Sequence, residues 1–145
     1  MTETPRPSRE GLASALDRVG DRWALLLVEA LLAGPRRYSD LQRDVPTIAS
    51  NVLSERLRRL EAGGVVLSRS YSSRPPRVEY LLTPLGRGLA AAVEALDRWG
   101  GGEEGPGALH QRCGTAMELR FYCPTCDELV VPGERTDDDG EVVFA

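Results

Sequence analysis

All three cysteines of this 145-residue chain, and its only histidine, fall within the seventeen residues 110–126. They stand as His110-x2-Cys113-Gly114 and, with nine residues between Cys113 and Cys123, Cys123-Pro-Thr-Cys126. The surrounding segment, 108–145, has few large apolar side chains and ends in the acidic run Asp137-Asp-Asp-Gly140. A piece that small cannot fold on its core alone and needs a staple. The Gly-Gly-Glu-Glu-Gly-Pro-Gly stretch at 101–107 before it reads as a flexible linker. The chain is therefore expected to hold two modules: residues 1–100, able to build a core, and residues 108–145, held by its thiols.

Zinc takes four tetrahedral nitrogen and sulfur ligands in structural sites, and each x2 spacing lets one tight turn present two of them. Gly114 and Pro124 favour such turns. Met117 to Tyr122 alternates as a strand, with Val130-Val131 and Val142-Val-Phe144 as partners. The segment resembles a small zinc ribbon, with His110, Cys113, Cys123 and Cys126 as metal ligands. A redox dithiol at Cys123–Cys126 is the competing reading. A disulfide framework fits poorly with an odd cysteine count and no secretory start. Catalytic zinc fits poorly as well, because four ligands leave no open position.

Charge divides the chain at the same place. The net charge is −4, yet residues 1–100 carry 15 arginines against 12 acids, and residues 101–145 carry 3 against 10. Between Arg36 and Arg77 there are nine arginines and four acids. All 18 basic residues are arginine, as in GC-rich coding sequences, so arginine content alone says little. The acidic second module should be repelled by phosphate. Its open roles are contact with another protein, including the transcription machinery, extension of a dimer interface, shielding of the basic face, or a purely structural cap. The longest apolar stretch, Trp23 to Ala33, is too short and too broken by Glu29 to span a bilayer. A soluble, cytoplasmic protein with no membrane contact is expected.

Within the first module, Ser8 can cap a helix to Asp17, with Leu12, Leu16 and Val19 on one stripe. Asp21 opens a helix to about Leu32 that is apolar on nearly every side, closed by Gly34-Pro35. Ser39 caps a short helix to Asp44, and Val45-Pro-Thr47 forms a turn. A helix from Ile48 to Ala62 then ends at Gly63-Gly64. Val65–Tyr71 and Val78–Leu82 form a hairpin around Ser72-Ser-Arg-Pro-Pro76. Thr83 caps a last helix with Pro84 at its first position, running to Trp99. The fold class is α+β: a mostly helical winged helix-turn-helix with a β-hairpin wing, followed by a small β ribbon.

On the helix from Ile48, the residues Ile48, Val52, Leu53, Leu57 and Leu60 share one face. Thr47, Asn51, Ser54, Glu55 and Arg58 lie opposite, with Ser50 on the flank. A recognition helix presents such small polar side chains to base edges. Arg69, Arg74 and Arg77 on the hairpin suit phosphates or a narrow minor groove. The candidate contacts to double-stranded DNA are thus Thr47, Ser50, Asn51, Ser54, Arg58, Arg69, Arg74 and Arg77. Arg56 falls toward the apolar face, where a structural ion pair is expected.

Residues from about 16 to 99 closely resemble the HxlR-type winged-helix transcriptional regulators. The matching stretches are Val19-Gly-Asp-Arg-Trp23, Arg37-Tyr-Ser-Asp-Leu41, Leu53-Ser-Glu-Arg-Leu57 and, most specific, Pro75-Pro-Arg-Val-Glu-Tyr-Leu-Leu-Thr-Pro-Leu-Gly86. The resemblance implies a homodimer on a pseudo-palindromic operator. Many members carry a cysteine before the first helix, and some sense oxidants with it; residues 1–100 here contain none.

A dimer also has a physical trace. Leu85, Leu89, Ala92, Val93, Leu96 and Trp99 recur at three- and four-residue spacings on the last helix, and a twin subunit would cover them together with the first helix. An enzyme is not expected, since there is no nucleophile–base pair or phosphate-cradling loop. The alternative reading is a winged-helix plus zinc-ribbon interaction module of the transcription machinery.

Overall fold

Two helices lead the described chain, α1 (Arg9–Val19) and α2 (Arg22–Leu32). Asp21 starts the second: its Oδ1 accepts from the backbone N–H of Trp23 at 3.0 Å and of Ala24 at 3.1 Å. Those bonds satisfy two of the donors a helix start leaves free. Ala24, Leu27, Val28, Ala30 and Leu31 of α2 are buried. Leu26 and Leu32 are exposed, so α2 is central without being buried all round. The computed structural model describes residues 9–101, 109–118, 120–130, 135–136 and 142–143. Among these, no helix is long and apolar enough to cross a membrane. Ser8, expected to cap α1, lies outside the described residues.

A two-residue strand, β1 (Arg36–Arg37), precedes α3 (Tyr38–Asp44), and α4 (Ser50–Ala62) follows. Helix α3 begins one residue before the expected Ser39 cap. Arg37 holds the cap position, and its N–H donates to Asp40 Oδ2 at 3.1 Å. That bond, together with the Arg43 guanidinium, holds the Asp40 carboxyl below its ordinary range. Ile48 is buried but sits before α4 rather than on it. The turn between α3 and α4 puts Thr47 at φ +76.

At its other end α4 closes through Gly64, at φ +70. Gly64 N–H bonds Glu61 O at 3.0 Å and Val65 N–H bonds Leu60 O at 2.9 Å, the paired bonds of a Schellman ending. Leu53, Leu57 and Leu60 of α4 meet Leu27, Leu41 and Val66 in one core. The expected Arg56 ion pair is present: its Nε lies 3.1 Å from Asp21 Oδ1, as a charge contact rather than an aligned hydrogen bond.

The hairpin consists of β2 (Val66–Ser73) and β3 (Pro76–Leu82), so its turn is only Arg74–Pro75, shorter than the expected Ser72–Pro76. The sheet order is β1-β3-β2, all antiparallel, with Arg37 and Arg69 on either side of Glu79.

Thr83 caps α5 (Pro84–Arg87): its Oγ1 accepts from Gly86 N–H at 3.1 Å. The expected single last helix is broken, with α6 (Ala90–Gly101) starting anew after Gly88. Two glycines in one turn, Gly86 and Gly88, weaken helix continuity there. Leu89 and Val93 pack against the core, whereas Leu85, Leu96 and Trp99 are exposed. Gly86 is a steric requirement, because a Cβ there would lie 2.2 Å from Val65 O. Gly86→Ala is expected to cost about 1–3 kcal/mol in thermal or denaturant unfolding; an unchanged melt would contradict this packing.

The chain forms two compact units, 1–93 and 94–145. The second contains two antiparallel pairs: β4 (Phe121–Cys123) with β5 (Glu128–Val130), and β6 (Arg135–Thr136) with β7 (Val142–Val143). The expected strand from Met117 is confined to Phe121–Cys123. Val142–Val143 pairs with β6 rather than with that strand. Val131, Phe144 and Asp137–Asp139 lie outside the described residues, as does the expected linker beyond Gly101.

Candidate nucleic-acid interface and cysteine cluster

Helix α3 seats the start of α4 through two side chains four residues apart. Tyr38 Oη donates to Ser50 O at 2.7 Å and is hydrogen-bonded to the Ser54 hydroxyl at 3.1 Å. Gln42 Nε2 donates to Ser50 Oγ at 2.7 Å. Two of the expected groove-facing serines are therefore engaged with α3, and half-buried Ser54 faces it. Thr47 is exposed but lies in the turn before the helix. Asn51 and Arg58 remain outward, with Glu55 between them at helical spacing. Ala49, at the cap of α4, offers no side-chain oxygen to the first amides, which are the donors that DNA phosphates take.

On the wing the three expected arginines divide. Arg69 Nη2 lies 2.6 Å and its Nε 3.0 Å from Glu79 Oε1 across the strands, so its charge is matched. Arg74, in the two-residue turn, and Arg77 are exposed and form no ion pair among the described residues. The register shifts between Ser70 and Ser72, which leaves Tyr71 as the extra residue of a bulge. Bulges re-aim side chains. The Tyr71 ring lies 5.1 Å from the guanidinium of Arg37 at the cap of α3, within cation–π range. Arg37 and Tyr71 escape a reading of the sequence because strand β1 and the bulge carry no composition signal. The i, i+4 pair Tyr38–Gln42 could have been found on a helical wheel of α3.

The cysteine segment forms two separate turns. In the first, Gly114 at φ +69 donates to His110 O at 2.7 Å, and His110 N–H bonds Thr115 O at 2.8 Å. This brings His110 Nδ1 to 3.2 Å from Cys113 Sγ. Hydrogen bonds from Thr115, side chain then backbone, and from His110 lower the Cys113 thiol to about 7. In the second turn, Asp127 N–H bonds Cys123 O at 2.9 Å. The Cys126 and Thr125 amides point at Cys123 sulfur and lower its pKa, while that thiol raises Cys126. Tyr122 Oη donates to Asp127 Oδ1 at 2.5 Å and braces the turn.

Each pair of expected zinc ligands is thus formed, but among the described residues no three metal-ligating groups are gathered at one point. Every side chain characterised between 109 and 130 is exposed except Cys123, which is half-buried. The turns therefore have no core beneath them.

Residues 18–106 match the family model of the HxlR-like helix-turn-helix. An HTH-type transcriptional regulator of Mycobacterium tuberculosis (strain H37Rv) is 37% identical over 137 residues, covering 90% of this chain and 86% of the relative. That match extends past the winged helix into the cysteine segment. YkvN of Bacillus subtilis, another HTH-type regulator, is 41% identical over 83 residues, 57% of this chain and 70% of its own. Among solved structures, the oxidized redox regulator HypR superposes with a TM-score of 0.60 at 35% identity, covering 63% of this chain and 94% of its own. A MarR-family regulator from Enterococcus faecalis V583 gives 0.60 at 35%, covering 70% and 92%.

Proposed function

The chain belongs to the HxlR-like helix-turn-helix family of transcriptional regulators, and from that premise we propose that it binds a pseudo-palindromic operator as a homodimer and carries a structural zinc site in its second module. The observation that carries the DNA reading is the pairing of an outward Asn51–Arg58 stripe on α4 with Arg74 and Arg77 of the wing, exposed and without an ion pair among the described residues. Asn51 reads a base edge, since its amide matches adenine in bidentate fashion. Arg58 meets the major groove from the same helix, and Arg74 and Arg77 contact phosphate or minor groove. Ser50 supplies a hydroxyl while it accepts from Gln42. Thr47 approaches the backbone from the turn. Ser54 and Arg69 belong to the same surface, but their present partners make them supports more than readers.

Dimerisation rests on exposed apolar side chains that a monomer leaves in water. Leu12 and Leu16 on α1 are 66% and 54% exposed, and Trp99 on α6 is 85% exposed. A twin subunit covering these helices would set two recognition helices about 34 Å apart, one turn of DNA.

Zinc fits the donor set of the second module: three thiols, two with lowered pKa, and one imidazole, each pair already in a tight turn. When bound, the metal would supply the cross-link that draws the two turns together. His110, Cys113, Cys123 and Cys126 would hold it. The exposed Phe121, Tyr122, Leu129 and Val130, within an acidic segment, favour contact of this module with a protein, such as the transcription machinery, over contact with DNA.

Two substitutions test the DNA reading in salt-dependent binding assays. Arg74→Ala is expected to weaken binding on all sequences and to reduce the salt slope by about 1. Asn51→Ala is expected to relax preference at one base position, with about 1–3 kcal/mol of discrimination lost there. An unchanged salt slope for the first would remove Arg74 from the interface.

A further inference from the structure

Helix α1 turns an unusual face toward α5. Gly11, Ser14, Ala15 and Arg18 stand at the i, i+3, i+4 and i+7 positions of that face, with three small side chains where packing helices usually place large ones. A cavity of about 250 Å³ results, floored by Val65 and Leu85. The leucines of α1, Leu12 and Leu16, point elsewhere and do not fill it.

Its lining is mostly apolar, with Ser14 and Arg18 as the polar groups. Arg18 is exposed at the edge of the hollow, with its stem running beside Gly63. No acid pairs with Arg18 among the described residues. A pre-formed apolar hollow with a few convergent polar groups is the usual form of a small-molecule site, and this volume, just below the usual range, limits the occupant to a small one. An apolar side chain from a twin subunit could fill the hollow but would make no use of the exposed Arg18 guanidinium at its edge. A small carboxylate with an apolar body satisfies both, since a guanidinium binds a carboxylate by paired charge-assisted hydrogen bonds.

We propose that this cavity binds a small monocarboxylic acid with an apolar body, its carboxylate on Arg18, as an effector of the regulator. The binding half stands on the cavity alone; the effector half rests on the DNA-binding reading above. Helix α1 carries the exposed leucines of the dimer surface, so an acid wedged between α1 and α5 changes how two subunits meet. It thereby changes the spacing of the recognition helices.

The test is titration of the full chain with benzoate and with its neutral isostere benzamide, read by NMR or calorimetry without DNA. Benzoate is expected to bind with a Kd on the order of 0.1–1 mM, the range open to so small a ligand, and benzamide at least about tenfold more weakly. Arg18→Met is expected to remove that preference. Ala15→Leu, which fills the hollow, is expected to abolish benzoate binding while keeping or raising thermal stability. Equal binding of acid and amide, or benzoate binding unaffected by either variant, overturns the site, as does no binding at 10 mM of the order used for fragments. Operator affinity measured with and without saturating benzoate tests the effector half: a change of about threefold or more supports it, and none overturns it. If the protein fails to bind DNA at all, the ligand titration still decides the cavity.

Discussion

Placing glutamate at both Leu16 and Trp99 is expected to leave a folded monomer whose affinity for a full operator is about a hundredfold lower or more. Both side chains are exposed, so neither contributes to the core and the double variant should melt like the parent. The loss is one of valency. A dimer delivers its second recognition helix at an effective concentration far above that of free protein, a gain of about 10²–10⁴ in avidity. A single half-site should be bound about equally by parent and variant. Sedimentation and binding measured together check this; a variant that stays dimeric would show that the apolar stripe is covered by something else.

Stripping zinc is expected to have an effect of comparable size on the other module. The segment 109–130 has no buried apolar side chain among its described residues, so a metal cross-link, as proposed, would be the main tie between its two turns. Structural zinc in small modules supplies about 10–16 kcal/mol of apparent binding energy, most of it spent on folding. The purified protein is expected to carry one zinc per chain. Chelation, or Cys123→Ser, should abolish amide protection in this segment while the winged helix keeps its own melting transition. Loss of both transitions together would mean that the modules fold as one.

The parts legible in the sequence are those set by periodicity and by caps. Asp21 before an apolar run, Thr83-Pro84, and Gly64 after α4 each name an element boundary through a local bond, and each boundary is found where that bond predicts. What escaped the reading depends on contacts between elements. The helical wheel of α4 puts Ser54 outside, yet Tyr38 of α3 takes its hydroxyl, and no single-helix projection contains α3. Strand β1 is two residues long and exists only because β3 offers it an edge. The Arg69–Glu79 pair follows from hairpin register, which fell into place only once the turn shrank to Arg74–Pro75. The break between α5 and α6 was visible in Gly86 and Gly88, but Thr83-Pro84 and the leucine spacing argued for one helix. For the cysteine cluster, spacing pairs His110 with Cys113 and Cys123 with Cys126, and the structure forms each turn without gathering three such side chains at one point among the described residues.

The central claim, sequence-specific binding of duplex DNA by a dimer, is tested most directly by selection from a random duplex pool with zinc-loaded protein near physiological salt. Enrichment of an inverted repeat whose half-sites lie one helical turn apart is the predicted result. A folded, zinc-loaded protein that enriches no sequence, with or without added benzoate, would contradict it and leave the winged helix as a protein-interaction module.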